Sequence, residues 1–518
     1  MIIIDGNHLT IQDVVQVARG NAPVQLAPES VHVIQESRQR VEKIIAAGDP
    51  VYGINTGFGI FANRQISRSD SQHLSRNLIL SHAVGTGPPL PNDVVRAAML
   101  IRANTLAKGH SGVRLVLVEN LLKMLNRGVT PVIPSQGSLG SSGDLAPLSH
   151  LALVLSRGEE DREEVSGWAN YQGQRLSGKQ AMERADLPRL VLQAKEGLAL
   201  SNGATFSAAV GALACADSRR LLDISEVSLS LSLEALLGAS CAFHPQIHEA
   251  RQHPGQIKVA AAVRELTEGS TLIDSTDRVQ DAYSLRCAPQ VHGPVRETLE
   301  FAERLITREI NAATDNPLLF SDGKAISGGN FHGEGIGLVL DYLGIALTEL
   351  GGIAERRIFR LTDGTLNADL PPMLVNTNRD AGLNSGVMML QYTAASLVLE
   401  NRSLASPDST HSLPTSAEQE DHNANSMTAA RHTLQISRNT AHILAVELYT
   451  AARALDLRLR SLPEAEPGVG TAAAQALIRQ EVPYQAGDAW WGPEVDAVRK
   501  LIMEDEFLRV IRDALPGS

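Results

Sequence analysis

The sequence predicts a mainly α fold: a long central helical bundle with a smaller mixed N-terminal domain. Two observations carry this. Alanine and leucine dominate an apolar set that makes up 43% of 518 residues, while aromatics stand at 4%; that balance favours helix over sheet. Four long segments, 291–312, 333–358, 383–405 and about 426–460, also keep apolar residues at helical spacing. Strand-like patterning is confined to the N-terminal part.

In chain order, "MIIIDGNHLTIQDVVQVARG" reads as a short strand, a turn at Asp5-Gly6-Asn7, a second short strand and a helix capped near Thr10 and closed by Gly20. Val31, Ile34, Val41, Ile44 and Ile45 predict a helix over 28–48. "VYGINTGFGIFANRQIS" is punctuated by glycine and reads as a loop. Helical pattern returns over 70–128, broken at "GTGPPLPND". The acid-rich 156–180 reads as a solvent-facing hairpin whose charge run is a solvated face. In 291–312, Val295, Leu299, Ala302, Leu305, Ile306 and Ile310 share a face. The 333–358 segment is apolar nearly all round, so it must be covered on every side. A helix of about 35 residues spans about 50 Å, and several such helices imply a long bundle partly covered by neighbouring subunits. The predicted division is 1–200 as an N-terminal domain, 201–480 as the helical bundle and 481–518 as a C-terminal helical segment. The Trp490-Trp491 pair near its start is a candidate core or interface anchor.

The net charge of −12 argues against nucleic-acid or anionic-membrane partners, which require clustered Lys and Arg. No basic n-region precedes the apolar start, and no uninterrupted apolar run approaches the ~18 residues of a membrane helix. Cys215, Cys241 and Cys287 are far apart and odd in number. They read as buried free thiols in a reducing cytoplasm. His244, His248 and His253 lie close together, but Pro245 and Pro254 interrupt them and HExxH is absent, so a hydrogen-bonded loop is expected and no metal site.

"GSLGSSGDLAP", Gly137–Pro147, concentrates glycine and serine inside a dense globular sequence. It is neither GxGxxG after a strand nor GxxxxGK[ST], so a phosphate cradle is disfavoured. A purely structural turn is one alternative. The other is chemical. In a tightly folded Ser-Ser-Gly, the Gly143 amide nitrogen can attack the Ser141 carbonyl. Loss of one water closes a five-membered ring, and loss of a second, from Ser142, leaves an exocyclic methylene. The product is a methylidene-imidazolone, an electrophile that needs no external cofactor. Glycine suits the nucleophile position because a Cβ would obstruct the approach of backbone to backbone. Residue 142 must be the one that eliminates, and residue 141 contributes only its carbonyl.

Ser141-Ser142-Gly143-Asp144-Leu145 resembles the Ala-Ser-Gly-Asp-Leu signature of the aromatic amino-acid lyases, nearest to their histidine branch, with serine in the spectator position. The resemblance extends over about residues 5–460. "VYGINTGFG" resembles the family's tyrosine loop and makes Tyr52 a candidate catalytic base. "RNLILSHAVGTG" resembles its selectivity segment and offers His82. "GLALSNG" offers Asn202. "QDAYSLRCAPQ" offers Gln280, Tyr283 and Arg286, "TDNPLLF" Asn316, "SGGNFHGE" Phe331 and "SAEQEDH" Glu420. The resemblance implies a homotetramer with shared active sites that acts on a small aromatic amino acid. It favours L-histidine converted to urocanate and ammonia, with a phenylalanine or tyrosine lyase or a 2,3-aminomutase as the alternative.

These residue types suit that chemistry. Arg286 can fork onto a carboxylate. A tyrosine base, whether Tyr52 or Tyr283, requires a phenol pKa depressed by positive charge or hydrogen bonds. Ser81-His82 and Glu420 are histidine-type, since a carboxylate can bind an imidazole. Two stretches depart from the histidine-type pattern: Ala204-Thr205-Phe206 stands where Thr-Gln usually follows Asn-Gly, and "QEDHNANSM" replaces "QEDHVSMG".

Overall fold

Helices account for most of the chain, and their ends follow its local chemistry. The Thr10 hydroxyl accepts from the Asp13 N–H while the Asp13 carboxylate returns to the Thr10 N–H, a reciprocal cap that starts Ile11–Ala18. Pro28 opens the helix Pro28–Ala47, and Gly48, at φ +81°, closes it. The structure, a computed structural model, describes residues 1–67 and 70–516. Among these, the long helices are Thr205–Ala235, Ala288–Glu309, Glu334–Thr362, Met388–Leu404 and Ser426–Ser461. The last has 36 residues, about 54 Å of helix. The expected mainly α class is what the chain adopts.

The chain divides into two compact units, each assembled from three separate stretches. The first comprises Met1–Ala216, Ala302–Asp341 and Pro407–His432; the second comprises Asp217–Phe301, Tyr342–Ser406 and Thr433–Ser518.

The first unit holds every described strand. Ile2–Ile4 pairs in parallel with Val24–Leu26, Ile2 opposite Val24. No second strand follows the Asp5 turn as expected. Asp5 instead binds the His8 ring and the Asn7 and His8 N–H groups, and Leu9 N–H goes to the Asn311 side chain, so the partner strand comes after the helix. The acidic excursion forms the expected hairpin, Trp168–Tyr171 against Gln174–Ser177. Behind the site lies Asn92–Ala107, buried from Val94 to Ala107. Its Asn104 amide donates to the Ile310 carbonyl at 2.9 Å, and Arg102 is fully buried.

The second unit is built on an aliphatic core, including Leu229, Leu233, Leu285, Ile358, Leu448 and Leu455. Into it are set a buried Arg357–Glu447 ion pair, 2.5 Å apart and fully shielded from solvent, and His292. The His292 Nδ1 meets Ser225 Oγ at 3.3 Å. Burial, reinforced by the charges of Arg357 and Arg296, pushes this imidazole well below its ordinary value near 6.5. Below that value the unfolded chain takes up a proton that the folded chain refuses, so stability falls as pH falls. The expected contribution is up to about 1.4 kcal/mol per pH unit from this group. Urea midpoints of His292→Leu against the parent between pH 7 and pH 5 read it: the variant's profile should be flatter.

Burial bears on two expectations. Glu334–Thr362 is long and apolar enough to cross a membrane by length and composition, but most of that stretch is buried within the protein. Within one chain Leu338, Tyr342 and Ile345 form an exposed stripe on it, the side left for the expected neighbouring subunits to cover. Of the thiols, Cys215 is buried and Cys287 partly so, whereas Cys241 is exposed in the short turn Ser240–Phe243. The histidine cluster is hydrogen-bonded: His248 binds the Ala242 carbonyl at 3.1 Å and the Gln256 amide at 2.8 Å, while Pro245 and Pro254 each open a helix. Trp491 packs against Tyr449 and donates to the Gly386 carbonyl, and Trp490 is exposed.

Candidate active site

The Gly137–Asp144 loop lies between the strand Pro134–Gln136 and the helix Leu145–Leu155. It doubles back through three glycines of positive φ: Gly137, Gly140 and Gly143. A Cβ on Gly143, at φ +77°, would come within 2.0–2.3 Å of the Gly203 backbone. That contact is a two-stranded bridge: Gly203 N–H donates to the Ser142 carbonyl at 3.1 Å, and Asp144 N–H donates to the Gly203 carbonyl at 2.9 Å. Asn202 Nδ2 adds a second donor to the Ser142 carbonyl at 2.6 Å. Two N–H groups therefore converge on one peptide oxygen, where they stabilise added negative charge.

Asp144 anchors the turn. It is fully buried and accepts from Ser138 Oγ at 2.8 Å, Ser207 N–H at 2.8 Å and Ser207 Oγ at 3.0 Å. Burial raises its carboxyl above the usual range, opposed by these donors. Beside it, Lys195 and Asp315 form a wholly buried ion pair at 2.5 Å, with Ser111 Oγ also on Asp315. Lys195 precedes the helix Glu196–Ser201 and Asp315 precedes Asn316, so the pair fixes two walls of the site. Asp315→Ala strands the ammonium in the core. Chemical denaturation should report a loss of about 3–5 kcal/mol.

The loop forms part of a cavity of about 1270 Å³ whose lining lies entirely in the first unit. Of the sequence-predicted residues, Tyr52, His82, Ser141, Ser142, Asn202, Asn316, Phe331 and Glu420 line it. Gly143 sits behind, against Gly203. Ser142 Oγ donates to Glu420 Oε1 at 2.9 Å. His82 ends the helix Ser71–His82, and its Nδ1 is 2.9 Å from Ser81 Oγ. Burial lowers its pKa, against the opposing influences of the Leu78 carbonyl and Glu420, so the ring is neutral at pH 7. Asn316 is held by Ser327 Oγ and the Gly328 N–H. The Tyr52 phenol is not depressed. Burial raises its pKa and Glu420 raises it further, against the Gly59 backbone contact.

Gln280, Tyr283 and Arg286 do not line this cavity. They belong to the second unit, where Gln280 and Tyr283 are exposed. The Arg286 guanidinium lies over the Tyr283 ring at 4.4 Å, and its Nε has no hydrogen-bond partner. The two departing stretches also keep away from the cavity. Ala204, Thr205 and Phe206 are buried at the start of Thr205–Ala235, with Thr205 bonded to Arg102. Asn423 to Met427 pack against the loop's far side. Sequence reading missed Asn423, which binds Ser141, and the parallel His332–His422 ring pair at 5.9 Å, which lines the cavity next to Phe331. The signal for Asn423 was present, since it begins the departing "NANSM".

A helical fold with a cavity lined by a doubled-back Ser-Ser-Gly turn beneath two convergent N–H donors suits lyase chemistry. The model of the family "Aromatic amino acid lyase" matches residues 9–480, and the chain belongs to that family. It is 47% identical over 516 residues to a histidine ammonia-lyase of Caldanaerobacter subterraneus, covering 99% of this chain and 98% of that one. Among solved structures, histidine ammonia-lyase from Trypanosoma cruzi matches with a TM-score of 0.90 at 38% identity, over 100% of this chain and 96% of that one. Tyrosine aminomutase from Streptomyces globisporus matches with a TM-score of 0.92 at 36% identity, over 100% and 99%. The fold is thus shared between eliminating and isomerising enzymes, and the lining must distinguish them.

Proposed function

We propose that the protein is an ammonia-lyase that converts L-histidine to urocanate and ammonia. The observation that carries this reading is the placement of Glu420 and neutral His82 in the same cavity as Ser142, with Glu420 bonded to the Ser142 hydroxyl. A carboxylate and a neutral imidazole suit the two nitrogens of a substrate imidazole, one accepting and the other matching by tautomer. The high identity to histidine ammonia-lyases over the full chain supports the same substrate. The stretches that favoured an aminomutase or a phenylalanine or tyrosine lyase lie off the cavity, so they leave its lining of histidine type.

The loop fits a methylidene-imidazolone. Gly143 leaves no room for a side chain, its φ is one that glycine tolerates, and the Ser142 oxygen already has two donors. Once formed from Ser141-Ser142-Gly143, the group would supply an electrophile that turns the substrate's amino group into a leaving group. The chain's residues do the rest. Asn202 and Gly203 hold the loop oxygen, Glu420 and His82 orient the imidazole, and Asn316 and Phe331 wall the cavity. Tyr52 is the preferred base for the β-proton. Its raised pKa requires a nearby cation to release the phenol proton, which we assign to Arg286 of a second copy, arriving with Tyr283 and Gln280. The exposed stripe on Glu334–Thr362 suits burial in such an assembly, and we propose a homotetramer with shared sites. Three free thiols fit a cytoplasmic setting.

L-Histidine, L-phenylalanine and L-tyrosine should be assayed in parallel, with products identified by NMR. Urocanate from histidine alone is expected. Cinnamate, coumarate or a β-amino acid would transfer the assignment to the alternative reading.

A further inference from the structure

Ser141-Ser142 presents the loop with a choice. Two adjacent hydroxyls can leave, and two registers can close. In one, the Gly143 nitrogen bonds to the Ser141 carbonyl carbon. That carbonyl oxygen then leaves as water with the protons of the Gly143 and Ser142 amides, and a second water takes the Ser142 Cα hydrogen and hydroxyl. In the other, everything shifts one residue earlier and Ser141 is dehydrated. A free hydroxyl at 141 competes in either case.

The structure treats the two serines differently. Ser141 is buried, and its hydroxyl donates to Asn423 Oδ1. Asn423 is fully buried, and both side-chain polar atoms and its N–H are committed: Nδ2 donates to the Leu413 carbonyl, and its N–H donates to Ser412 Oγ at 2.7 Å. A neutral amide oxygen only accepts, so it cannot protonate a departing hydroxyl. Ser142 Oγ donates instead to Glu420 Oε1 on the cavity side, where water can supply the proton for a departing hydroxyl. The earlier register would require the nitrogen of Ser142, a residue with a Cβ, to reach the Gly140 carbonyl, which is fixed in place by Gly333 N–H at 2.9 Å.

We propose that Asn423 is a positioning residue for the loop's own chemistry: by holding the Ser141 hydroxyl it presents the Ser141 carbonyl to Gly143 and leaves Ser142 as the serine that loses water. The two departures from the family pattern, serine at 141 and asparagine at 423, are then a coupled pair. This rests on the reading that residues 141–143 cyclise.

The test is the mass and fragmentation of the tryptic peptide Gly128–Arg157 from freshly folded full-length protein, followed over time. The parent peptide should be lighter by two waters, with the second loss mapping to Ser142. An unmodified parent peptide would overturn the cyclisation reading itself, before any variant is scored. In Asn423→Val the doubly dehydrated peptide should accumulate about tenfold more slowly, the scale of one ordering hydrogen bond, with unmodified peptide or a loss mapping to Ser141 in its place. Ser141→Ala/Asn423→Val should recover the parent rate. Asn423→Asp keeps an oxygen for Ser141 but adds a group that can give that hydroxyl a proton, so part of the second water should now be lost from Ser141, which carries the test if the valine variant does not fold. Cyclisation at the parent rate in Asn423→Val, failure of the double variant to recover, or a second loss confined to Ser142 in folded Asn423→Asp would overturn the role of Asn423.

Discussion

Gly143→Ala is expected to abolish the loop chemistry and the activity together. The new Cβ would lie within 2.0 Å of the Gly203 carbonyl carbon and 2.3 Å of its Cα and nitrogen, all backbone atoms that no rotamer change relieves. The residue would also have to keep φ +77°, which L side chains rarely adopt. Relief requires the 142–143 strand to separate from Gly203, which removes the Gly203 N–H from the Ser142 carbonyl and breaks the Asp144 link. Denaturation should show a loss of roughly 2–5 kcal/mol, the sum of overpacking and left-handed strain. The Gly128–Arg157 peptide should have its unmodified mass, and turnover should fall to background. A folded variant with a dehydrated loop would refute the assignment of Gly143 as the nucleophile.

Glu420→Gln should separate substrate recognition from loop assembly. The amide is nearly isosteric and can still accept from Ser142 Oγ, but it carries no charge with which to bind an imidazole N–H. Loss of a charge-assisted hydrogen bond in a half-buried site costs about 2.7–4 kcal/mol, or roughly 10²–10³-fold in kcat/KM for histidine. Turnover of phenylalanine, which has no ring N–H, should change by less than about tenfold. Steady-state kinetics on both substrates check this. An equal drop on both would mean that Glu420 acts in the loop chemistry or on the amino group rather than on the imidazole.

Much of the site was legible in the sequence because its parts are local. A turn that must bend back on itself needs glycine at the bends and serine at the eliminating position, and both are adjacent in the chain. Tyr52, Asn202 and Asn316 sit in short stretches whose resemblance to the family's motifs singles them out. Asn423 was visible only as an anomaly, since its partner Ser141 lies 282 residues away and no local pattern predicts a contact at that separation. The environment of Tyr52 was equally hidden. A phenol's pKa depends on which charges fold around it, and within this chain Glu420 is the charge that does. The departures at 204–206 and 423–427 looked like pocket residues because they adjoin Asn202 and Glu420 in sequence. At Gly203 and again past His422, however, the backbone turns them away from the cavity.

Sequence alone determined the helical class, the approximate extents of four of the long helices and the serine–glycine turn, because each depends on residue spacing within a single segment, and it identified the family through the resemblance of several short stretches. Tertiary structure alone decided that two units are each assembled from three separated stretches, that Glu420 meets Ser142, that Asn423 holds Ser141, and that Tyr283 and Arg286 lie apart from the cavity lining. Those outcomes depend on burial and on hydrogen bonds between residues distant in the chain, and their energies exist only once the backbone has closed around them.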